Sequence, residues 1–249
     1  MNALILAAGF GSRLRPLTDN MPKPLLPVGG QPLIYYHIAL LKRYGITDIV
    51  INVHYHAEKV ILALGNGARF GVEITYSQEP EILGTGGGIK NLQGILGREA
   101  FLVINADILV DINLDLLLAF HQKKKGAATL ALRDDSDLTQ YGIIETDQND
   151  QIRNILSKIP PTKQVLRKRM FTGVHILEPI VFDYIPPGMF YSITDSYIEM
   201  LKKGVTTPAE ERLFGYSMEG YWNDIGVQKR YQEVNQELKE GKIKLHYMP

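Results

Sequence analysis

The sequence predicts an α/β protein with a mostly parallel β-sheet, helices on both faces of that sheet, and a small antiparallel extension. In the first half of the 249 residues, short apolar runs alternate with segments of helical periodicity, and this alternation is typical of parallel sheets. After Leu138, strand-like runs follow one another with little helix between them, which predicts the antiparallel part. The content of 45% hydrophobic and 22% charged residues is ordinary for a globular protein and argues against a disordered chain.

Strands are predicted where apolar and β-branched residues form short runs, and helices where apolar residues recur at helical spacing. In the first half, the predicted strands are Ala3–Ala8, Asp48–His54, Val72–Ser77, Phe101–Asn105 and Ala128–Leu132. The predicted helices between them are Gln31–Tyr44, Ala57–Leu64, Gly86–Leu96 and Leu114–Lys125. Strands at Tyr141–Thr146, Gln151–Leu156 and Met170–Leu177 precede helices at Ile193–Lys203 and Val227–Glu240. No linker-like stretch interrupts the chain, so we predict a single domain over 1–249, with parts at 1–138 and 139–249.

Charge and composition exclude several classes of protein. The 27 Lys and Arg residues balance the 27 Asp and Glu residues, so no net field favours nucleic acid or an anionic membrane. Cysteine is absent, which excludes disulfides, thiolate nucleophiles and Cys-ligated zinc. No apolar run approaches the ~18–20 residues of a membrane span, and the first residues lack the basic start of a secretory signal. We therefore expect a cytoplasmic protein without nucleic-acid or membrane partners.

The most informative segment is a glycine-rich turn directly after the first strand. Gly9 and Gly11 let backbone N–H groups approach an anion closely. Three cations follow this turn in the sequence: Arg13, Arg15 and Lys23. Ligands of open α/β sheets usually bind at the carboxyl ends of strands. The segment therefore predicts a polyphosphate site, with a solvated surface turn as the alternative.

Two common phosphate motifs do not fit this turn. The dinucleotide fingerprint needs a small residue where Leu14 stands and an acidic residue where the second strand ends in Asn52–His54. A P-loop needs Gly-Lys-Ser/Thr, and the sequence contains no such tripeptide. Both interpretations are therefore excluded.

The turn instead resembles the signature of the sugar-1-phosphate nucleotidyltransferases. The resemblance lies in Leu6-Ala-Ala-Gly-x-Gly-x-Arg-Leu-x-Pro-Leu-Thr18, followed by Pro22-Lys23-Pro24-Leu25-Leu26-Pro27-Val28. It implies a Rossmann-like three-layer α/β/α sandwich in which the turn wraps a nucleoside triphosphate. The residues that this assigns to the nucleotide are Ala8, Gly9, Gly11, Ser12 and Arg13. It also places Lys23 on the phosphates, as a catalytic residue together with Arg13.

Two aspartates are candidate metal ligands. Asp107 follows the apolar run Phe101–Asn105 and resembles the family's Gly-Asp element, with Ala106 in place of glycine. Asp224, in Tyr221–Gly226, resembles the family's Trp-x-Asp-Ile/Thr-Gly element, whose aspartate shares the metal. Mg²⁺ favours one or two carboxylates together with phosphate oxygens, so the resemblance implies Mg²⁺ on these two catalytic residues. A helix-capping role is the alternative for each aspartate.

Further segments resemble the parts of the family that contact the base and the sugar phosphate. A second glycine cluster, Gly84–Gly88, can begin a helix with exposed N–H groups. The nucleobase contacts that the resemblance implies here are Gln78, Gly84 and Thr85. The sugar-phosphate contacts that it implies are Lys23, Tyr141, Gly142, Lys158, Phe171 and Gly173. The chain departs from the family at Ser157, where many relatives carry a glutamate on the sugar hydroxyls.

The resemblance implies a Mg²⁺-dependent transfer of a nucleotidyl group from an NTP to a sugar 1-phosphate, giving an NDP-sugar and pyrophosphate. The run Leu83–Ile89 resembles both mannose- or heptose-1-phosphate guanylyltransferases and muramate-1-phosphate uridylyltransferases, and of these we favour the guanylyltransferases. Muramate- or glucose-type uridylyltransferases, phosphocholine-type cytidylyltransferases and a non-catalytic sensor of nucleotide sugars are the alternatives. The short C-terminal region predicts that a β-helix domain is absent, and the sequence leaves a homo-oligomer open.

Overall fold

The computed structural model describes residues 1–134, 142–161, 163–203, 208 and 211–248. The chain forms two compact units, each made of segments that are discontinuous in sequence. The first unit comprises Met1–Ile82, Ile104–Ile112 and Gly220–Pro249. The second unit comprises Leu83–Val103 and Asn113–Glu219.

Strands and helices alternate along most of the chain. The strands are β1 Ala3–Leu6, β2 Pro27–Val28, β3 Gln31–Pro32, β4 Asp48–Val53, β5 Glu73–Gln78, β6 Phe101–Asn105, β7 Ile108–Val110, β8 Ala128–Arg133, β9 Ile143–Thr146, β10 Ile152–Ile155, β11 Arg167–Leu177, β12 Leu213–Ser217 and β13 Trp222–Asp224. The helices are α1 Leu33–Arg43, α2 Ala57–Leu64, α3 Gly84–Asn91, α4 Gln93–Leu96, α5 Leu114–Lys124, α6 Ile193–Lys202 and α7 Gln228–Lys239. No helix within the described residues is both long and apolar enough to cross a membrane.

A parallel sheet forms the core of the first unit. β1 pairs with β4, and β4 pairs with β5, both in parallel. Every residue of β4 after Asp48 is buried, as expected for a strand covered on both faces. The register sets Leu6 beside Asn52 and Val53 beside Gln78. The carboxyl ends of the three strands therefore lie side by side.

Strands β7 and β13 form a separate two-stranded ribbon in the first unit. They pair antiparallel, with Trp222 opposite Val110 and Asp224 opposite Ile108. The buried Tyr247 donates its hydroxyl to Val110 O at 2.8 Å, so the C-terminal segment packs against the ribbon. This ribbon joins two parts of the chain that are far apart in sequence.

The second unit contains a mixed sheet. β11 pairs antiparallel with β8 and with β9, β9 pairs antiparallel with β10, and β12 joins β8 in parallel. Arg169, on β11, is almost completely buried. Its guanidinium donates to Thr146 Oγ1 at 2.6 Å and to Ser217 Oγ. Two hydroxyl oxygens thus accept hydrogen bonds from this buried guanidinium, and a buried charge needs such partners.

The predicted α/β class with a mixed sheet is confirmed, and most predicted elements differ from the observed ones only at their ends. Ala57–Leu64 and Phe101–Asn105 agree at both ends. The single helix predicted at Gly86–Leu96 is wrong, because two helices, α3 and α4, meet at Leu92. Glycine is a weak helix former, and Gly94 follows this break. The sequence did not predict β2, β3, β7, β12 or β13.

Candidate active site

The glycine-rich turn follows β1 and leads into a short 3-10 helix at Ser12–Leu14. Ala8 is buried, whereas Gly9 is exposed and has open space where a side chain would lie. Gly11 has a φ of 64°, which favours glycine, and a Cβ there would lie 3.0 Å from Thr18 Cγ2. The Thr18 hydroxyl also donates to Gly11 O at 2.9 Å. These contacts hold the turn and leave the backbone at Gly9 accessible to a ligand.

Lys23 and Asp107, both predicted site residues, contact each other directly. Lys23 begins a second 3-10 helix and is 8% exposed. Its Nζ donates to Asp107 Oδ2 at 2.9 Å. Asp107 lies in the short connection between β6 and β7, and its side chain is 36% exposed. Removal of either group leaves a partly buried charge without this partner, which destabilises a protein.

Asp224 is brought next to Asp107 by the β7–β13 ribbon. Asp224 is opposite Ile108, the residue after Asp107. Close by, a Cβ on Gly226 would lie 2.6 Å from Asp224 Oδ1 and 3.0 Å from Arg13 Nη2. The ends of the Asp224 and Arg13 side chains therefore approach the same glycine. The four predicted catalytic residues therefore converge within the first unit.

The charges of this cluster perturb one another. Burial acts to raise the pKa of Asp107, but the ammonium of Lys23, with help from the Arg13 guanidinium, holds that pKa below its usual value. The pKa of Asp224 is raised, first by burial and then by the negative charge of Asp107, while Lys23 and Arg13 oppose the rise. Repulsion between two neighbouring carboxylates is what a divalent cation between them would relieve.

Arg230 is a further cation at this site that was not predicted from the sequence. It lies in the first turn of α7, and its Nη1 is 3.4 Å from Asp224 Oδ2. Its neighbour Lys229 is 86% exposed and lies 3.9 Å from Glu233 Oε1. The sequence does not distinguish Arg230 from Lys229. The two residues are adjacent, and only their positions around the helix determine which of them faces Asp224.

The donor set fits a magnesium ion that is also bound by phosphate. Within the described residues, no group of three or more His, Asp or Glu side chains could hold a metal by itself. Asp107 and Asp224 supply two carboxylates, and Mg²⁺ commonly completes its octahedral shell with substrate phosphate oxygens and water. Such a pair suits an ion that arrives together with a polyphosphate.

Gln78, the predicted nucleobase contact of the first unit, is exposed at the end of β5. Because β1, β4 and β5 are parallel, Gln78 lies at the same edge of the sheet as the glycine-rich turn. An amide offers both a donor and an acceptor to the edge of a base. The contact of Gln78 with a nucleobase stays a prediction.

In the second unit, Gly84 and Thr85 begin helix α3. Thr85 Oγ1 accepts a hydrogen bond at 3.0 Å from the first N–H of α6. The N–H groups of Gly86 and Gly87 donate to Tyr191 O at 2.9 and 3.2 Å. The expectation that this glycine cluster exposes its N–H groups is therefore wrong at these two positions, because the segment before α6 already bonds them.

The predicted acceptor residues Gly142 and Lys158 belong to the second unit, and Tyr141 lies outside the described residues. Gly142 has a φ of 78° and is packed closely against Leu156. Leu156 and Ser157 both have positive φ, at 54° and 56°. Lys158 follows them and is exposed. Consecutive left-handed residues of this kind store strain and cluster at functional sites.

Phe171 and Gly173 lie on β11, where the pairing with β8 shifts its register between Phe171 and His175. Gly173, with a φ of 84°, lies within this irregularity. Phe171 packs edge-on against the buried His175 at 5.2 Å between ring centroids. Bulges of this kind often re-aim side chains beside active sites.

Residues 2–241 match the family model described as "Nucleotidyl transferase". Among curated proteins, the chain is 32% identical to a UTP–glucose-1-phosphate uridylyltransferase of Synechocystis, covering 100% of this chain and 66% of the relative. It is 31% identical to a mannose-1-phosphate guanylyltransferase of Mycobacterium tuberculosis, covering 97% and 65%. The chain thus spans just under two thirds of the length of these relatives.

Among solved structures, the fold is similar to that of a Bacillus anthracis protein assigned as a glucose-1-phosphate thymidylyltransferase. The TM-score is 0.81 at 30% identity, with 96% of both chains covered. A UDP-glucose pyrophosphorylase in complex with UDP-glucose has a TM-score of 0.79 at 22% identity, covering 96% of this chain and 98% of that one. At that identity the likeness shows the fold alone.

Proposed function

The chain belongs to the nucleotidyl transferase family, and on that premise we propose that it transfers a nucleotidyl group from a nucleoside triphosphate to a sugar 1-phosphate. The products are an NDP-sugar and pyrophosphate. One observation carries the proposal: Lys23 and Asp107 lie 2.9 Å apart, with Asp224 and Arg13 beside them. Arg13 directly follows the glycine-rich turn, whose backbone at Gly9 is open to an anion.

The reaction needs alignment more than acid–base chemistry. An oxygen of the acceptor phosphate bonds to the α-phosphorus, while the bond from that phosphorus to the oxygen bridging it to the β-phosphate breaks, and pyrophosphate leaves with that oxygen. The second pKa of a phosphate monoester is about 6, so the acceptor is already largely ionised at neutral pH. The reaction requires positioning and charge neutralisation instead.

Residues of the first unit supply these two functions. Backbone N–H groups of the turn, from Ala8 to Ser12, bind the phosphates of the nucleotide. Arg13 holds the departing pyrophosphate, because a guanidinium can bond two phosphate oxygens at once. Lys23, a compact point charge, neutralises charge at the reacting phosphates or at the sugar phosphate.

Mg²⁺ fits Asp107 and Asp224, and when bound it neutralises charge on the phosphates. The chain keeps Asp107 ionised through Lys23 and Arg13, since both cations act to lower the pKa of that carboxyl. Lys23 and Arg13 also act to lower the pKa of Asp224, and Arg230 Nη1 lies 3.4 Å from Asp224 Oδ2.

The substrate contacts follow the sequence predictions. Gln78 of the first unit is proposed to contact the nucleobase, as are Gly84 and Thr85 of the second unit. Gly142, Lys158, Phe171 and Gly173 are proposed to contact the sugar phosphate, together with Tyr141. We favour GTP with mannose 1-phosphate or heptose 1-phosphate, because several relatives carry the mannose-1-phosphate guanylyltransferase name. UTP with glucose 1-phosphate is the second candidate, since the Synechocystis relative carries that name.

The direct test measures pyrophosphate release with Mg²⁺ across GTP, UTP, CTP, ATP and dTTP, each with mannose, heptose, glucose and muramate 1-phosphates. We expect one pair to exceed the others in kcat/KM, with GTP favoured. Phosphocholine with CTP forms the control arm for a cytidylyltransferase. Nucleotide binding without turnover in every pair would contradict transfer and favour a nucleotide-sugar sensor.

Lys23→Met is expected to raise the affinity for Mn²⁺ by about tenfold in the absence of nucleotide, a change of ~1.4 kcal/mol. Lys23 Nζ occupies Asp107 Oδ2 at 2.9 Å, so its loss removes both a competitor and a repelling charge. Isothermal titration with Mn²⁺ measures this directly. The matched control is Lys42→Met, whose exposed ammonium donates to Phe70 O, and it should leave the affinity unchanged. Equal or weaker binding in Lys23→Met would contradict the assignment of the metal to Asp107.

A further inference from the structure

Asn52 is a buried amide in the sheet of the first unit. It is the next-to-last residue of β4 and is 2% exposed. Its Oδ1 accepts from Ala7 N at 2.7 Å, and its Nδ2 donates to Glu79 Oε1 at 2.7 Å. One side chain therefore connects the exit of β1 to the exit of β5.

Glu79 is a buried carboxylate to which the proposed reaction assigns no part. It is 2% exposed and directly follows Gln78. Its N–H donates to Val53 O at 2.9 Å, and its carbonyl oxygen lies 2.8 Å from His54 Nδ1. The backbone of β4 thus holds the main chain of Glu79, and the side chain of Asn52 holds its carboxyl group.

Burial of an amide and a carboxylate is unfavourable unless their hydrogen bonds are made. Here the bonds are made, and their protein partners are backbone and side-chain groups at the carboxyl ends of three adjacent strands. Ala7 opens the glycine-rich turn, and Gln78 is the proposed base contact. A satisfied buried network of this kind makes its surroundings rigid.

We propose that Asn52 and Glu79 are positioning residues of the nucleotide site, which hold the glycine-rich turn and Gln78 at a fixed separation before the nucleotide arrives. The inference rests on the proposed function only in taking the ligand to be a nucleoside triphosphate. Neither side chain contacts the nucleotide. Their contribution is preorganisation, because a site that is already ordered loses less entropy on binding.

Three variants test this network by changing which side chain donates and which accepts in the hydrogen bond between Asn52 and Glu79. Asn52→Asp removes the Nδ2 donor to Glu79 and brings two acidic side chains into contact, so we expect nucleotide Kd to rise about tenfold or more. Glu79→Gln retains an acceptor for Asn52 Nδ2, and we expect a change within about threefold. The double variant Asn52→Asp with Glu79→Gln restores the bond with donor and acceptor exchanged, and Kd should return to within about threefold of the unsubstituted chain.

Kd is measured by titration of GTP and of UTP, with Mg²⁺ and without acceptor, on the full chain. Amide hydrogen exchange at Ala7–Gly11 gives a second readout, and we expect faster exchange in Asn52→Asp and recovery in the double variant. Tyr36→Phe is the matched control, because it removes a buried hydrogen bond to Val28 O in the same unit. It should lower the melting temperature without changing Kd.

Two results would overturn the inference. One is a folded Asn52→Asp variant with unchanged nucleotide Kd, and the other is a double variant that fails to recover binding. If Asn52→Asp does not fold, the double variant alone decides, since restored folding and Kd support the network. The proposed transfer fails separately, when the unsubstituted chain binds a nucleotide tightly and releases no pyrophosphate with any acceptor.

Discussion

Asp107→Asn is expected to lower kcat at least ~10²-fold, which corresponds to about 2.7 kcal/mol of transition-state stabilisation. Two losses combine in this variant. The proposed metal loses one of its two carboxylates, and Lys23 loses the negative charge that now lies 2.9 Å from its Nζ. Steady-state measurement of pyrophosphate release at saturating substrates gives the effect on kcat. A parallel titration with Mn²⁺ should show weaker binding.

Asp48→Asn is the matched control for this prediction. Asp48 is an exposed carboxylate at the start of β4 in the same unit, so its neutralisation should leave kcat unchanged. Circular dichroism and thermal unfolding establish that both variants fold, since the loss of a partly buried ion pair also costs stability. Near-normal turnover by folded Asp107→Asn would refute a metal or phosphate role for this carboxylate.

Arg13→Ala is expected to produce a loss of similar size, at least ~10²-fold in kcat. Arg13 lies beside Asp224, with Nη2 3.0 Å from the place of a Gly226 Cβ. If it holds the departing pyrophosphate, its interaction strengthens as charge develops there, so kcat should fall more than KM rises. The comparison of kcat and KM for the nucleotide provides the measurement.

Arg43→Ala serves as the control for Arg13, because Arg43 is exposed at the end of α1. Arg13→Lys separates charge from geometry. It keeps the positive charge but cannot bond two oxygens in a plane, so we expect partial recovery. A variant Arg13→Ala that raises KM alone would indicate uniform binding of the triphosphate rather than a role in its cleavage.

The sequence predicted most helices and strands well, but it missed β12 and all the strands of two or three residues. β4 carries five buried residues in succession, and such a run signals a covered strand without any tertiary information. β7 and β13 have only three residues each, too few for periodicity to separate strand from loop. These strands form only because distant parts of the chain pair with each other. A local sequence pattern therefore cannot predict the ribbon.

The same limit applies to the candidate site. The motif resemblance indicated Arg13, Lys23, Asp107 and Asp224 individually, but their convergence depends on the ribbon. Arg230 was missed because its role depends on helix phase. From the sequence, Asn52 was considered only as a departure from the dinucleotide fingerprint. A polar residue in an apolar strand does not by itself show which groups it will contact.

The two aspartates lie far apart in the sequence, and this separation has a consequence during protein synthesis. Lys23 and Asp107 leave the ribosome early, whereas Asp224 follows only after translation of another large part of the chain, ~10 s later at about 5–20 residues per second. The nascent polypeptide can therefore neutralise its first carboxylate with an ammonium group long before the second one is made. Fragments that end before β13 lack both Asp224 and the strand that pairs with β7, so we expect them to be without the complete cluster of charges.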